Sequence, residues 1–219
     1  VLIINNNIAS NPSRIKFIVF RGGIRFMEFN EGNSTIVGQA NAAGAIAVGA
    51  ARYDKAPPLI NPALIESFSS IGGTYVNGSP RQKPDLVAPD GVNTSVKLGQ
   101  DYPNSSLDGY SNFFGTSAAA PHAAAVAALF MEGKKKFLGQ LTTTPDEIRS
   151  LLQTTAVDME TPGFDLISGY GFIDADAAMR TFAAPTPVQI ELVVPTTVIP
   201  GEEQFELTIT GENFSTNSV

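Results

Sequence analysis

Strand and helix signals alternate along this chain up to about residue 183, and that alternation is the tightest constraint on its fold. Interleaved elements favour an α/β layer architecture. The apolar run at residues 1–4 reads as a strand. A turn-rich stretch at 5–12 leads to a second strand at 15–20 and a third at 24–29. Residues 38–51, GQANAAGAIAVGAA, are made of small side chains. The short run 45–48, closed by Gly49, suits a strand buried on both faces of a parallel sheet. Residues 83–89, KPDLVAP, form another short buried strand with proline stops. An alanine-rich helix is predicted over 117–132, closing at Gly133 with Lys134, Lys135 and Lys136 at its negative end. Thr144-Pro-Asp-Glu147 is a capping box with proline at the first helical position. Ile148, Leu151 and Leu152 then give the spacing of an amphipathic helix over Pro145–Thr155. Asp174 is expected to cap a last helix over 175–182.

The pattern changes after the linker Ala183-Ala-Pro-Thr-Pro187. Val188, Ile190, Leu192 and Val194 alternate with Gln189, Glu191 and Val193. Phe205, Leu207 and Ile209 alternate with Glu206, Thr208 and Thr210. A Pro200-Gly201 turn separates the two runs. Period-2 runs around such a turn predict the start of an antiparallel β-sandwich.

Composition removes several functional classes. Lys and Arg number 14 against 21 Asp and Glu, a net charge of −7. No basic face is available for a phosphate backbone, so nucleic acid is not an expected partner. The same sign disfavours anionic lipid. The longest apolar runs are roughly half the ~20 residues that a membrane span needs. Cysteine is absent, which excludes disulfides, thiolate metal sites and cysteine nucleophiles. The first residue is Val, with no basic region or cleavage site behind it, and the chain stops soon after a turn. Both ends read as cuts through a longer protein.

The chemistry is concentrated in Gly115-Thr-Ser-Ala-Ala-Ala-Pro-His122. Ser117 opens the alanine-rich helix, where free N–H groups and the dipole favour negative charge. A nucleophile there has its own N–H available for a developing oxyanion. Gly115 lets the chain approach a substrate closely. By position alone Thr116 or Ser117 reads as a helix cap, which is what most Ser and Thr at helix starts are.

The whole string GTSAAAPHAAAVAAL resembles the nucleophile segment of the subtilases, the subtilisin-like serine peptidases, whose pattern is Gly-Thr-Ser-x-Ala-x-Pro-His. Residues 45–50, 67–73, 83–90, 144–156 and 168–179 are similar to the flanking segments of that family. The resemblance covers roughly residues 30–182 and implies part of a three-layer α/β domain with a mostly parallel sheet, followed by a truncated β-sandwich. It implies the C-terminal part of a secreted bacterial endopeptidase, acting on proteins or peptides outside the cell or at its surface. Ser117 would be the nucleophile, supported by Thr116 and Gly115. The family's chain order is Asp, His, Ser, but the single histidine here, His122, belongs to the motif itself. The resemblance therefore implies that the Asp and His of the triad precede residue 1, and that this chain alone is inactive. Asn30 is either the oxyanion donor or a turn residue of FNEG. Under the second reading, residues 1–29 end an inserted β-domain. The catalytic part then covers 30–184, and an immunoglobulin-like domain of the IPT/TIG kind begins at 185–219. Calcium is a frequent guest of the family, but Asp101, Asp108, Asp165, Asp174 and Asp176 show no recognisable ligand spacing. Asp85 reads as a structural strand residue, and the serines at 67–70 as a solvated turn or the edge of a cleft. The rival class is a non-catalytic surface or adhesion protein that keeps the subtilase fold.

Overall fold

The structure, a computed structural model, describes residues 33–97, 108–183, 187–197 and 206–214. Asn30, Asp101 and the three strands expected before residue 30 lie outside the described residues. The described residues fall into two compact units. One holds those up to Ala124 together with Ala156–Ile173. The other holds Ala125–Thr155 and those from Asp174 onward.

In the first unit, β1 (Val48–Arg52) is followed by the short hairpin strands β2 (Tyr75–Val76) and β3 (Ser79–Pro80), then by β4 (Leu86–Asp90). β1 and β4 pair in parallel, from Val48 opposite Leu86 to Arg52 opposite Asp90. The connection between them carries a 3-10 turn at Tyr53–Lys55 and the β2–β3 hairpin, with no α-helix. On the other edge of β4, the Val87 amide donates to Gly171 O and the Ile173 amide to Val87 O. Phe172 bridges Val87 in parallel and Val157 antiparallel. β4 is therefore an inner strand, which explains its continuous apolar sequence. Ala51, Ala56, Ala63, Val87, Met159 and Phe172 form the core around it.

Two strand expectations shift. The run placed at 45–48 becomes β1 at Val48–Arg52, because pairing with β4 carries the strand through Gly49. The run placed at 83–89 becomes Leu86–Asp90, because Lys83 and Asp85 are spent on a buried ion pair before the ladder begins. Lys83 Nζ reaches Asp85 Oδ2 at 2.5 Å, and the same oxygen accepts the Ala47 amide at 2.7 Å. Asp85 thus staples the two strand entrances together. The parallel sheet is small: β1–β4 is the parallel pair, while β2–β3, β5–β6 and β7–β8 are antiparallel.

β5 (Val92–Thr94) and β6 (Ser111–Phe113) follow, then α1 (Thr116–Leu138), α2 (Pro145–Thr155) and α3 (Ala175–Arg180). α1 does not stop at Gly133. It runs on for about one and a half turns to Leu138, and Gly139 beyond it takes φ +67°. There the Gly139 amide donates to Lys135 O and the Gln140 amide to Lys134 O, the terminal bonding that a left-handed residue permits. Gly133 is instead a packing glycine. A Cβ there would stand 2.8 Å from Met179 Cε and 3.0 Å from Phe182 Cε2. α2 has the expected bounds, and its capping box is formed: the Glu147 amide donates to Thr144 Oγ1 and the Thr144 amide to Glu147 Oε2. α3 starts as expected, with Asp174 accepting from the Ala177 amide, but ends at Arg180.

β7 (Gln189–Val194) and β8 (Thr208–Glu212) form a two-stranded antiparallel sheet. The register shifts between Ile190 and Leu192, and β8 pairs through Gly211, which stands opposite Ile190. Most side chains of both strands are exposed, and a sandwich is not seen among the described residues.

Candidate active site

The site is assembled by the return of the chain after β4. Gly91 follows β4, and the β5–β6 ladder brings residues 111–113 back beside it. The Gly91 amide donates to Phe113 O at 2.8 Å, and Asn112 Nδ2 donates to Gly91 O at 2.7 Å. Gly115 therefore arrives next to the end of β4, 25 residues before it in sequence. Its amide donates to Asp90 Oδ2 at 2.7 Å.

Gly115 adopts φ +112°, a conformation that disfavours any side chain. It also serves as the cap of α1, its carbonyl accepting from the Ala118 and Ala119 amides. Thr116 and Ser117 are the first two helical residues, and the Ser117 side chain is exposed. Amides in a first turn have no carbonyl four residues earlier within the helix, so they face outward with the positive end of the dipole. An exposed hydroxyl with its own N–H beside it is suited to attack a carbonyl and hold the resulting oxyanion. Ala118 and Ala119 are fully buried behind it.

His122 is elsewhere on α1. Five positions at about 100° each place it some 140° around the axis from Ser117. Its Nδ1 lies 2.7 Å from Ala118 O. A carbonyl only accepts, so Nδ1 carries the proton and is committed to the helix backbone.

Asp90 was not singled out by sequence. Its side chain is 0 % exposed, and Oδ1 has no hydrogen-bond partner. Burial pushes its carboxyl above the ordinary value; the Gly115 N–H, Arg52 and His122 each pull it partly back. The one available signal was an acid placed directly after the apolar run LVAP. Ser69, among the serines read as a turn or cleft edge, is tied to β1: its Oγ accepts from the Ala50 amide. Among the described residues no group of three or more His, Cys, Asp or Glu is placed to hold a metal ion. Among them, too, no helix is long and apolar enough to cross a membrane.

The chain matches the subtilase family over residues 10–171. It belongs to the subtilases. The sequence is 32% identical over 144 residues to fervidolysin of Fervidobacterium pennivorans, covering 66% of this chain and 17% of that protein. It is 33% identical over 106 residues to an extracellular serine protease of Serratia marcescens, covering 47% and 9%. Among solved structures, the CspB protease of Clostridium perfringens superposes with a TM-score of 0.50 at 24% identity, covering 66% of this chain and 28% of that one. This last likeness concerns the fold alone. The subtilase segment here thus spans well under half the length of the curated relatives it matches.

Proposed function

We propose that this chain is the nucleophile-bearing, C-terminal part of a secreted bacterial serine endopeptidase that hydrolyses peptide bonds by acyl transfer. The observation that carries the reading is an exposed Ser117 in the first turn of α1, within an intact Gly-Thr-Ser-x-Ala-x-Pro-His string of a subtilase. Ser117 Oγ attacks the peptide carbonyl carbon, and its proton passes to a histidine base. The oxyanion rests on the Ser117 N–H and an Asn donor, for which Asn30 is this chain's candidate. The C–N bond then breaks, the amine takes the proton from the histidine, and water repeats the sequence on the acyl-enzyme. Thr116 and Gly115 hold Ser117 in place.

The histidine base and its Asp come from sequence outside residues 1–219. Supporting this, the single histidine is held by the Ala118 carbonyl and lies on another side of α1. Extracellular action is supported by the relative from Serratia, and the −7 charge suits a protein substrate better than nucleic acid or anionic lipid. Residues 185–219 are read as the start of an immunoglobulin-like domain, of which β7 and β8 are the first pair.

The test is cleavage of an unfolded protein substrate by a version extended upstream to include the family's Asp and His segments. Ser117→Ala is expected to lower kcat by more than about 10⁴-fold, and residues 1–219 alone are expected to be inert. Cleavage that survives Ser117→Ala would overturn the assignment. A folded but inert extended protein would favour the non-catalytic surface protein.

A further inference from the structure

Asp90 is a buried acid that the acyl-transfer scheme does not use. A neutral carbonyl could accept the Gly115 N–H without the cost of burying a charge. The chain instead spends a carboxylate, fully buried and with Oδ1 unpartnered, on that one amide. Hydrogen bonds to an ionised acceptor are roughly twice as strong as neutral ones. The amide belongs to the glycine at φ +112°, two residues before Ser117, whose carbonyl caps α1. Two charged or titratable groups act on Asp90 from neighbouring elements. Arg52 stands directly opposite on β1, with Nε also 2.5 Å from Asp54 Oδ1, and His122 lies on α1.

We propose that Asp90 is a positioning residue for Ser117: its carboxylate pins the Gly115 amide to the end of β4 and so fixes where the first turn of α1 presents the nucleophile. The inference rests on the reading of Ser117 given above. Asp90 touches no reacting atom in this scheme. It acts through Gly115 and the Gly115–Ala118 and Gly115–Ala119 bonds that start the helix. A displaced nucleophile loses near-attack geometry while substrate binding elsewhere is kept, so the effect falls on kcat and not on KM.

The test uses the upstream-extended protein with Asp90→Ala and Asp90→Asn. The asparagine oxygen can still accept from Gly115; alanine cannot. Asp90→Ala is expected to lower kcat about tenfold to a hundredfold with KM changed less than about twofold, and Asp90→Asn to restore most of the loss. In parallel, the Gly115 amide proton is followed by NMR against pH. It should shift with an acid titration in the wild type and stay flat in Asp90→Asn. Unchanged kcat in a folded Asp90→Ala protein overturns the proposal. So does a Gly115 amide in the wild type that ignores pH, which also decides the matter should Asp90→Ala fail to fold. A wild type that cleaves nothing while its Gly115 amide titrates would refute the Ser117 reading and leave the Asp90–Gly115 anchor standing.

Discussion

A buried carboxylate makes stability depend on pH with a definite sign. Burial raises the Asp90 pKa in the folded protein above its ordinary 3.8. The folded state then holds this proton more tightly than the unfolded state. The corresponding stability is fully present below 3.8 and is lost as pH rises through the raised value. Asp90→Asn removes this loss. Urea unfolding of wild type and variant should therefore show the variant gaining on the wild type between pH 3.5 and pH 7. A gap that stays constant or narrows would contradict the burial argument. The place of Ser117 in the first turn of a helix was legible because its signal is local: Gly, Thr and Ser adjoin the helix they open. Asp90 was not. The acid that drew attention in KPDLVAPD was Asp85, and nothing local says that the last residue of the run meets an amide 25 positions later. The β5–β6 ladder makes that meeting, and short, polar strands of that kind leave little trace in a hydrophobic pattern.

Helix boundaries show the same division between local and distant causes. The start of α2 was readable because Thr144 and Glu147 answer each other within three residues. Thr144→Ala is expected to cost about 1 kcal/mol, measured by thermal or denaturant unfolding. The Thr144 amide, and after it the Thr144 hydroxyl, donate to the Glu147 carboxyl and hold it below its ordinary value. Its contribution is present above 4.5 and fades as pH falls through the lowered folded value. The end of α1 was misread because two glycines competed. Gly133 looks like a stop, yet it lies where a side chain would press on Met179 and the Phe182 ring; Gly139, with φ +67°, ends the helix. A mid-helix glycine replaced by alanine ordinarily gains up to about 1 kcal/mol. At Gly133 the crowding should cancel that gain, and Gly133→Leu should cost about 1–3 kcal/mol by overpacking. A stabilised Gly133→Leu protein would show that the Met179 and Phe182 contacts do not confine this position.

For the molecule as a whole, β4 links stability to chemistry. Its apolar residues lie inside the first unit, and its last residue reaches the turn before Ser117. Leu86→Ala at its fully buried start should cost about 2–5 kcal/mol. The mixture of helix and strand and the three helices were legible, because period and capping are written locally. The extent of the sheet was not: the third row beside β4 is supplied by residues 171–173, which carry glycine and aromatic residues but no strand-length apolar run. The most direct test of the central claim is the site of covalent capture by a fluorophosphonate probe in the upstream-extended protein, mapped by mass spectrometry. A single adduct on Ser117, absent in Ser117→Ala and absent when residues 1–219 are probed alone, is the result expected. An adduct on another residue, or robust labelling of residues 1–219 by themselves, would contradict it.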